Sequence, residues 1–400
     1  MIHVLPSRAW LLGFALSACA AQTQLPREVL ALARIKQKMA ENLARTPDYV
    51  CVETIQRSFR PSATRPFSTH DTVQLEVAHV GAKELYAFPG AGGFQEKKMS
   101  EMVAGGGLTS SGEFALHARS VFTNNIAIIT YAGQEDLDGR RALRYDYRIS
   151  LLFSGWTIHF AGQSGQVASC GSFWADADSL DLLRLDVHAD DIPPDVLISA
   201  AATRIEYARL RIGGSDVLLP QSAELILTDM LGRESRNRTE FSNCRKYQAE
   251  SALSFQEPLP GPPAPKPLAQ FELPAGLSFT IQLQTPIDSD KAQVGGLITA
   301  TLQSEVRHRG QSLVPKGALL KGRIRRLEKY SAPTPHFIVG LEFSELEFDG
   351  RSARFFGQLK RVAPVPGLSS APGPATFFFM QGTRFRLPQG LQMLWQTIKE

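Results

Sequence analysis

Near the start of the chain, Leu32, Ile35, Met39 and Leu43 recur at three- and four-residue spacing, after Pro26 and before Thr46-Pro47. That spacing predicts one amphipathic helix whose apolar stripe packs against a sheet. From Tyr49 the period changes to two: residues 49–59, 72–80 and 84–88 read as strands, with Gly81-Ala82 as a turn. Between Gly90 and Phe122 the pattern is helical again. Met99, Met102 and Val103 predict a short helix stopped by Gly105-Gly106-Gly107, and Phe114, Ala118 and Val121 predict another. Strands then follow at residues 126–132, 142–150, 156–161, 171–175, 182–189, 203–212, 217–228 and 235–255. Asp138-Gly139, Gly213-Gly214 and Leu231-Gly232 fall between them at hairpin distances. A meander of this length, headed by a helix, must curl around a core or a cavity.

Residues 257–268, EPLPGPPAPKPL, carry six prolines in twelve positions. Such a run cannot feed helix or sheet ladders and predicts an extended spacer of roughly 35–40 Å. Beyond it Leu277, Phe279, Ile281 and Leu283 alternate strictly, as do Leu341, Phe343, Leu346 and Phe348 once a one-residue slip, a bulge, is allowed. A small β-barrel or sandwich is expected there. After a second loose stretch at 363–374, the aromatic strands around Phe377-Phe378-Phe379 and Met393-Leu394-Trp395 are expected to return to this second barrel or dock on the first region. The fold class is thus mainly β (α+β). Its expected divisions are a leader at 1–21, a helix-plus-meander half-barrel at 25–256, a linker at 257–268 and a small β domain at 269–400.

The leader sets the compartment. Arg8 precedes the apolar run 9–18, too short to span a bilayer and of the length of a signal-peptide core. Leu16-Ser17-Ala18-Cys19 matches a bacterial lipobox, which would place a diacylglycerol on Cys19, with Ala20 favouring the outer membrane. Ordinary cleavage around Ala18-Cys19-Ala20 is the rival reading. No other segment has the unbroken apolar length of a transmembrane helix, so an exported, periplasmic body is expected. In that oxidising space Cys51, in the first strand, and Cys244, in the last, are the disulfide candidate, and Cys170 is left over; three buried free thiols are the alternative.

An apolar fraction of 43%, a charged fraction of 20% and a net charge of +4 describe an ordinary folded protein and give no reason to expect nucleic acid. The locally basic run 321–329 reads as strand alternation. Asp186, His188 and Asp190 alternate on one strand and so share a face. They are weak metal candidates beside the reading of a solvated edge, and no metal or other cofactor is expected. Glu113 and His117 stand four apart on a predicted helix, where an acid/base pair competes with a surface ion pair. No Gly-x-Ser-x-Gly, His-Glu-x-x-His or Ser-x-x-Lys occurs, which makes a hydrolase the minority reading. Trp156, Phe160, Phe173 and Trp174 either line an apolar ligand cleft or fill the sheet core.

The order of helix, long antiparallel meander and a late pair, DVLLPQSAELILTD then RESRNRTEFSNCRKY, resembles the LolA/LolB-like periplasmic half-barrels. The phrases Leu-Pro-Ala-Gly, Thr-Pro-Ile and Val-Pro-Lys-Gly-Ala beyond the linker resemble TrbI-like envelope β-barrel domains, and the whole is similar to exported proteins of soil bacteria such as acidobacteria. The resemblance implies a non-enzymatic envelope protein, its half-barrel binding a lipid or lipoprotein-like ligand. The alternative it leaves is a structural module contacting other envelope proteins. Its expected partners are an apolar ligand or envelope protein, with the membrane reached through Cys19 if the lipobox is used.

Overall fold

The computed structural model describes residues 25–81, 83–91, 93–95, 102, 113–247, 269–369 and 377–399; the side chains of 113–116, 269 and 270 are outside that set. The leader, with Cys19, and the polyproline stretch 257–268 therefore lie outside the described residues, as does most of the shorter helix expected around Met99.

Helix α1 (Arg27–Arg45) buries Ile35 and Met39, the centre of the predicted stripe. The meander then runs β1 (Tyr49–Arg60), β2 (Ser68–Val80), β3 (Lys83–Ala87), α2 (Glu113–Phe122), β4 (Ile128–Leu137), β5 (Arg140–Ile149), a hairpin of β6 (Thr157–Phe160) and β7 (Gln163–Gln166), β8 (Ala168–Asp176), β9 (Leu182–Asp190), β10 (Ile198–Ile212), β11 (Ser215–Asp229) and β12 (Glu234–Lys246). Ten of these strands form one antiparallel sheet in the order β3-β2-β1-β12-β11-β10-β9-β8-β5-β4, curled into a half-barrel. The first and last strands, β1 and β12, pair as the third and fourth in that order, and a Cys51–Cys244 disulfide joins them there. Cys170 is free.

Because side chains alternate along each strand, one set of positions faces the concave side throughout. Over β4, β5 and β8–β11 this face is closed by the two helices. Ile35, Met39, Ala118, Val121 and Phe122 pack there on Tyr145, Phe173, Leu185, Val187 and Ile205. Over β1–β3 it is closed differently.

A second sheet, also of ten strands and antiparallel except for the short strand Ala269–Gln270, wraps the apolar side chains of the C-terminal region. Phe279, Ile281, Leu283, Phe343, Leu346 and Trp395 are buried within it, so the predicted alternation points inward. The expected slip lies where Gly322 faces Phe343 and Lys321 faces Glu345. A Cβ on Gly322 would stand 2.1 Å from the Glu342 carbonyl oxygen, so glycine is required at the bulge. The aromatic C-terminal strands, Phe377–Gln381 and Gln392–Thr397, join this sheet.

The two sheets touch. Ile55, Val73, Leu75, Val77, Tyr86 and Phe88 of the first belong to the same apolar cluster as Val294, Ile324 and Leu327 of the second. Main-chain bonds stitch the junction: Gln74 N–H donates to Val294 O (2.9 Å) and Val294 N–H to Thr72 O (2.8 Å). The spacer was expected to hold two halves apart along its length; instead they share a core. The reason lies in β1 and β2, where Ile55, Val73, Leu75 and Val77 face the concave side beyond the reach of the helices and need a cover. Cutting the chain at a protease site introduced between residues 257 and 268 should therefore leave both fragments co-eluting on size exclusion in native buffer. Fragments that separate would contradict the shared core.

Candidate functional site

The four aromatics singled out in the sequence do not gather in one cleft. Phe173 and Trp174 are neighbours on β8 and so point to opposite faces. Phe173 is fully buried on the concave side, stacked on Tyr145 (centroids 5.1 Å) with Phe122 edge-on (4.9 Å). Trp174 lies on the convex side with Ala142 and Leu183, flanked by the Arg144 and Arg184 guanidiniums. Trp156 is buried beneath α2, and Phe160 packs partly buried on the same cluster. The helix-covered half of the barrel is thus a filled core at these positions.

His117 meets the edge of Trp156 at 4.9 Å, and its Nε2 has no hydrogen-bond partner. Burial lowers its pKa to about 4, so the ring is neutral. It stands in an apolar contact with Trp156, and the side chain of Glu113, its partner in the sequence reading, lies outside the described residues. Asp186, His188 and Asp190 do share a face of β9, but arginines take both carboxylates. Arg204 donates to Asp186 through two nitrogens at 3.1 Å, and Arg148 reaches Asp190 at 2.8 Å. Among the described residues no group of three His, Cys, Asp or Glu side chains is placed to hold a metal ion.

One buried acid escaped the sequence reading. Glu53 occupies a concave position of β1 between Cys51 and Ile55, opposite Leu75 and Phe241, and is 3% exposed. Burial, and secondarily the Glu84 charge, raises its pKa from 4.5 to about 8. Glu84 is itself held by the Tyr86 hydroxyl, which donates at 2.7 Å, and lies 3.5 Å from His79 Nδ1.

Farther along the same face is a cavity of about 570 Å³ between the end of the half-barrel and the second sheet. Phe59, Pro61, Pro66 and Ala332 give it apolar wall, while Ser58, Ser68, Thr69, Ser235, Ser331 and Asn237 add polar groups. Arg57, His70 and Lys329 are its basic side chains, and among the described residues no Asp or Glu lines it. Arg57 is nearly buried and anchored by Asp71, its Nε donating to Oδ1 at 2.7 Å. Ser58 Oγ is buried without a partner. From the second sheet Tyr330 closes one side: its ring meets His70 edge-on at 5.5 Å, and its hydroxyl donates to Glu328 at 2.7 Å. Glu328 in turn is clamped by Arg326 at 2.6 and 2.8 Å. Chemically, the site offers an apolar recess with cationic and hydroxyl groups at its edge.

The two titrating groups have opposite signs. Glu53 has a raised folded pKa, so stability is full below its ordinary value of 4.5 and is lost as pH rises through about 8. His117 has a lowered one, so stability is lost as pH falls from 6.5 toward about 4. Denaturant midpoints measured from pH 4 to 9 should therefore show Glu53→Gln removing most of the loss at the alkaline end while leaving the acid limb unchanged. An alkaline limb identical to that of the parent would show that Glu53 is not buried as described.

No protein-family model and no curated protein sequence matches this chain. Among solved structures it is similar to a DUF1329 family protein from Desulfovibrio piger, with 12% identity over 56% of this chain and 95% of that one and a TM-score of 0.31. It is also similar to a putative outer membrane lipoprotein-sorting protein domain from Vibrio parahaemolyticus (11% identity, 56% and 93% covered, TM-score 0.30). A LolA superfamily protein from Nitrosomonas europaea gives 11% identity, coverage of 54% and 94%, and a TM-score of 0.27. The half-barrel description rests on the strand order given above, not on these likenesses. The TrbI-like and acidobacterial resemblances have no counterpart among the three.

Proposed function

We propose that this chain is a non-enzymatic, exported cell-envelope protein that binds an amphiphile, an apolar chain carrying an acidic head, in the cavity between its two sheets. The observation that carries this reading is the lining of that cavity: apolar walls, three basic side chains and, among the described residues, no carboxylate. A volume of about 570 Å³ falls within the range of small-molecule sites. In such a recess the chain would lie against Phe59, Pro61, Pro66 and Tyr330. The head would meet Lys329, with hydroxyl donors around it. Export through the leader, with Cys19 as an anchor, belongs to the same reading, and the Cys51–Cys244 disulfide suits an oxidising compartment.

The ligand site therefore differs from the one the sequence suggested. The closed packing around Phe173 and Trp156 supports placing the ligand at the junction rather than under the helices. That same packing also favours the alternative of a structural module contacting other envelope proteins. Titration with a long-chain fatty acid distinguishes the two. We expect Lys329→Glu to weaken binding about tenfold, or roughly 1.4 kcal/mol, and to leave binding of a neutral monoacylglycerol of equal chain length nearly unchanged. A cavity-filling Ser331→Trp should weaken both. No binding of either ligand, with no acyl compound seen by native mass spectrometry of protein from its own membranes, would leave the structural module as the surviving reading.

A further inference from the structure

Isolated apolar side chains on a surface are ordinary; their gathering at one end of a sheet is not. Of the fifteen large apolar side chains exposed among the described residues, seven lie at one rim of the half-barrel: Ile128, Leu151, Leu152, Phe153, Leu197, Met230 and Leu231. It is the end where β5, β9 and β11 finish and β10 and β12 begin. Leu152 (82% exposed) and Phe153 sit on the loop after β5, Leu197 before β10, Met230 and Leu231 (76%) at the β11–β12 turn, and Ile128 (75%) at the start of β4.

These tips are held together. Met230 N–H donates to Leu197 O at 3.2 Å, and Gln166 on β7 donates to Leu151 O at 3.2 Å. Gly165, next to Gln166, is pressed so closely on the turn before β10 that a Cβ there would stand 2.7 Å from Val196 Cγ2. The loops thus form one braced, knobbed edge, not a groove that could seat a helix or a strand.

At its C-terminal part α1 is tied to the opposite end of the sheet, Asn42 exchanging hydrogen bonds with the Leu218 main chain at 2.8 Å. Nearer its start the Glu28 carbonyl accepts from the Tyr145 hydroxyl at 2.7 Å. Leu25, just before the helix, and Val29 and Leu30 of its first turn are exposed, adding apolar surface at the start of the described residues.

From this placement we infer that the rim is a bilayer-docking surface, its loop tips entering the headgroup and upper acyl region of a lipid membrane. Charge contributes little, since Arg148 and Arg233 are paired with Asp190 and Asp229 and the exposed Asp191 and Asp195 offset Arg65. Apolar insertion is then the driving term, and binding should persist in high salt. The inference is independent of the ligand reading, because the cavity plays no part in it.

The test is flotation of the full chain carrying Cys19→Ala, which removes any lipid anchor, with vesicles of phosphatidylethanolamine and phosphatidylglycerol. Adding Leu152→Ser, Phe153→Ser and Leu231→Ser should lower the vesicle partition coefficient at least about tenfold. Leu152→Ser alone should lower it severalfold, and Leu297→Ser, exposed on the second sheet, should not change it. Circular dichroism verifies that the variants are folded. A parent protein that does not float, tip variants that float like the parent, or binding abolished by salt alone would each overturn the proposal.

Discussion

The structure depends on the junction at which β2 meets residues 293–295 of the second sheet. Two main-chain hydrogen bonds and the apolar cluster around Val73 and Leu75 hold it. Its geometry is narrow: Gly295 has a φ of +93°, and a Cβ there would lie 2.4 Å from the Gln74 carbonyl oxygen, so no other residue fits without moving a backbone. Once this contact exists, the concave face has two covers, helices over one half and a second sheet over the other. The cavity is the space left where the second cover ends.

That arrangement accounts for polar groups where a plain sheet core would have none. Arg57 and Asp71 form a nearly buried ion pair on the concave face, and Glu328 is buried beneath Arg326 and Tyr330 beside it. Replacing a buried ion pair by well-packed apolar residues is often neutral or stabilising, so such pairs are weak as a device for stability. Their clustering at the edge of the cavity fits a site whose electrostatics are set in advance of a ligand. Glu53 is different: it lies inside the shared cover and makes stability fall with rising pH.

Much of this was legible in the sequence. The helix stripe ending in Met39 and Leu43, the meander, the Cys51–Cys244 pairing and the bulge near Phe343 follow from periodicity and order along the chain. The face that carries the cavity was harder. Alternation in YVCVETIQRSF already places Glu53 and Arg57 in line with Cys51 and Ile55, and a buried-strand reading of that line would have flagged both charges. It did not, because their burial comes from segments distant in sequence, Phe241 of β12 opposite Glu53 and residues 329–332 across the cavity from Arg57. Of the aromatics for which the sequence left a cleft or a sheet core open, Phe173 fills the core and Trp174 lies on the convex side, because a strand sends neighbours to opposite faces.

The most direct measurement is hydrogen–deuterium exchange of the whole protein with and without a bound long-chain fatty acid. An amphiphile seated between the sheets predicts added protection in residues 57–70 and 329–332, with the helix-covered strands around Phe173 unchanged. Protection confined to α1, α2 and β8, with the junction unaffected, would contradict the account and return the ligand to the half-barrel interior.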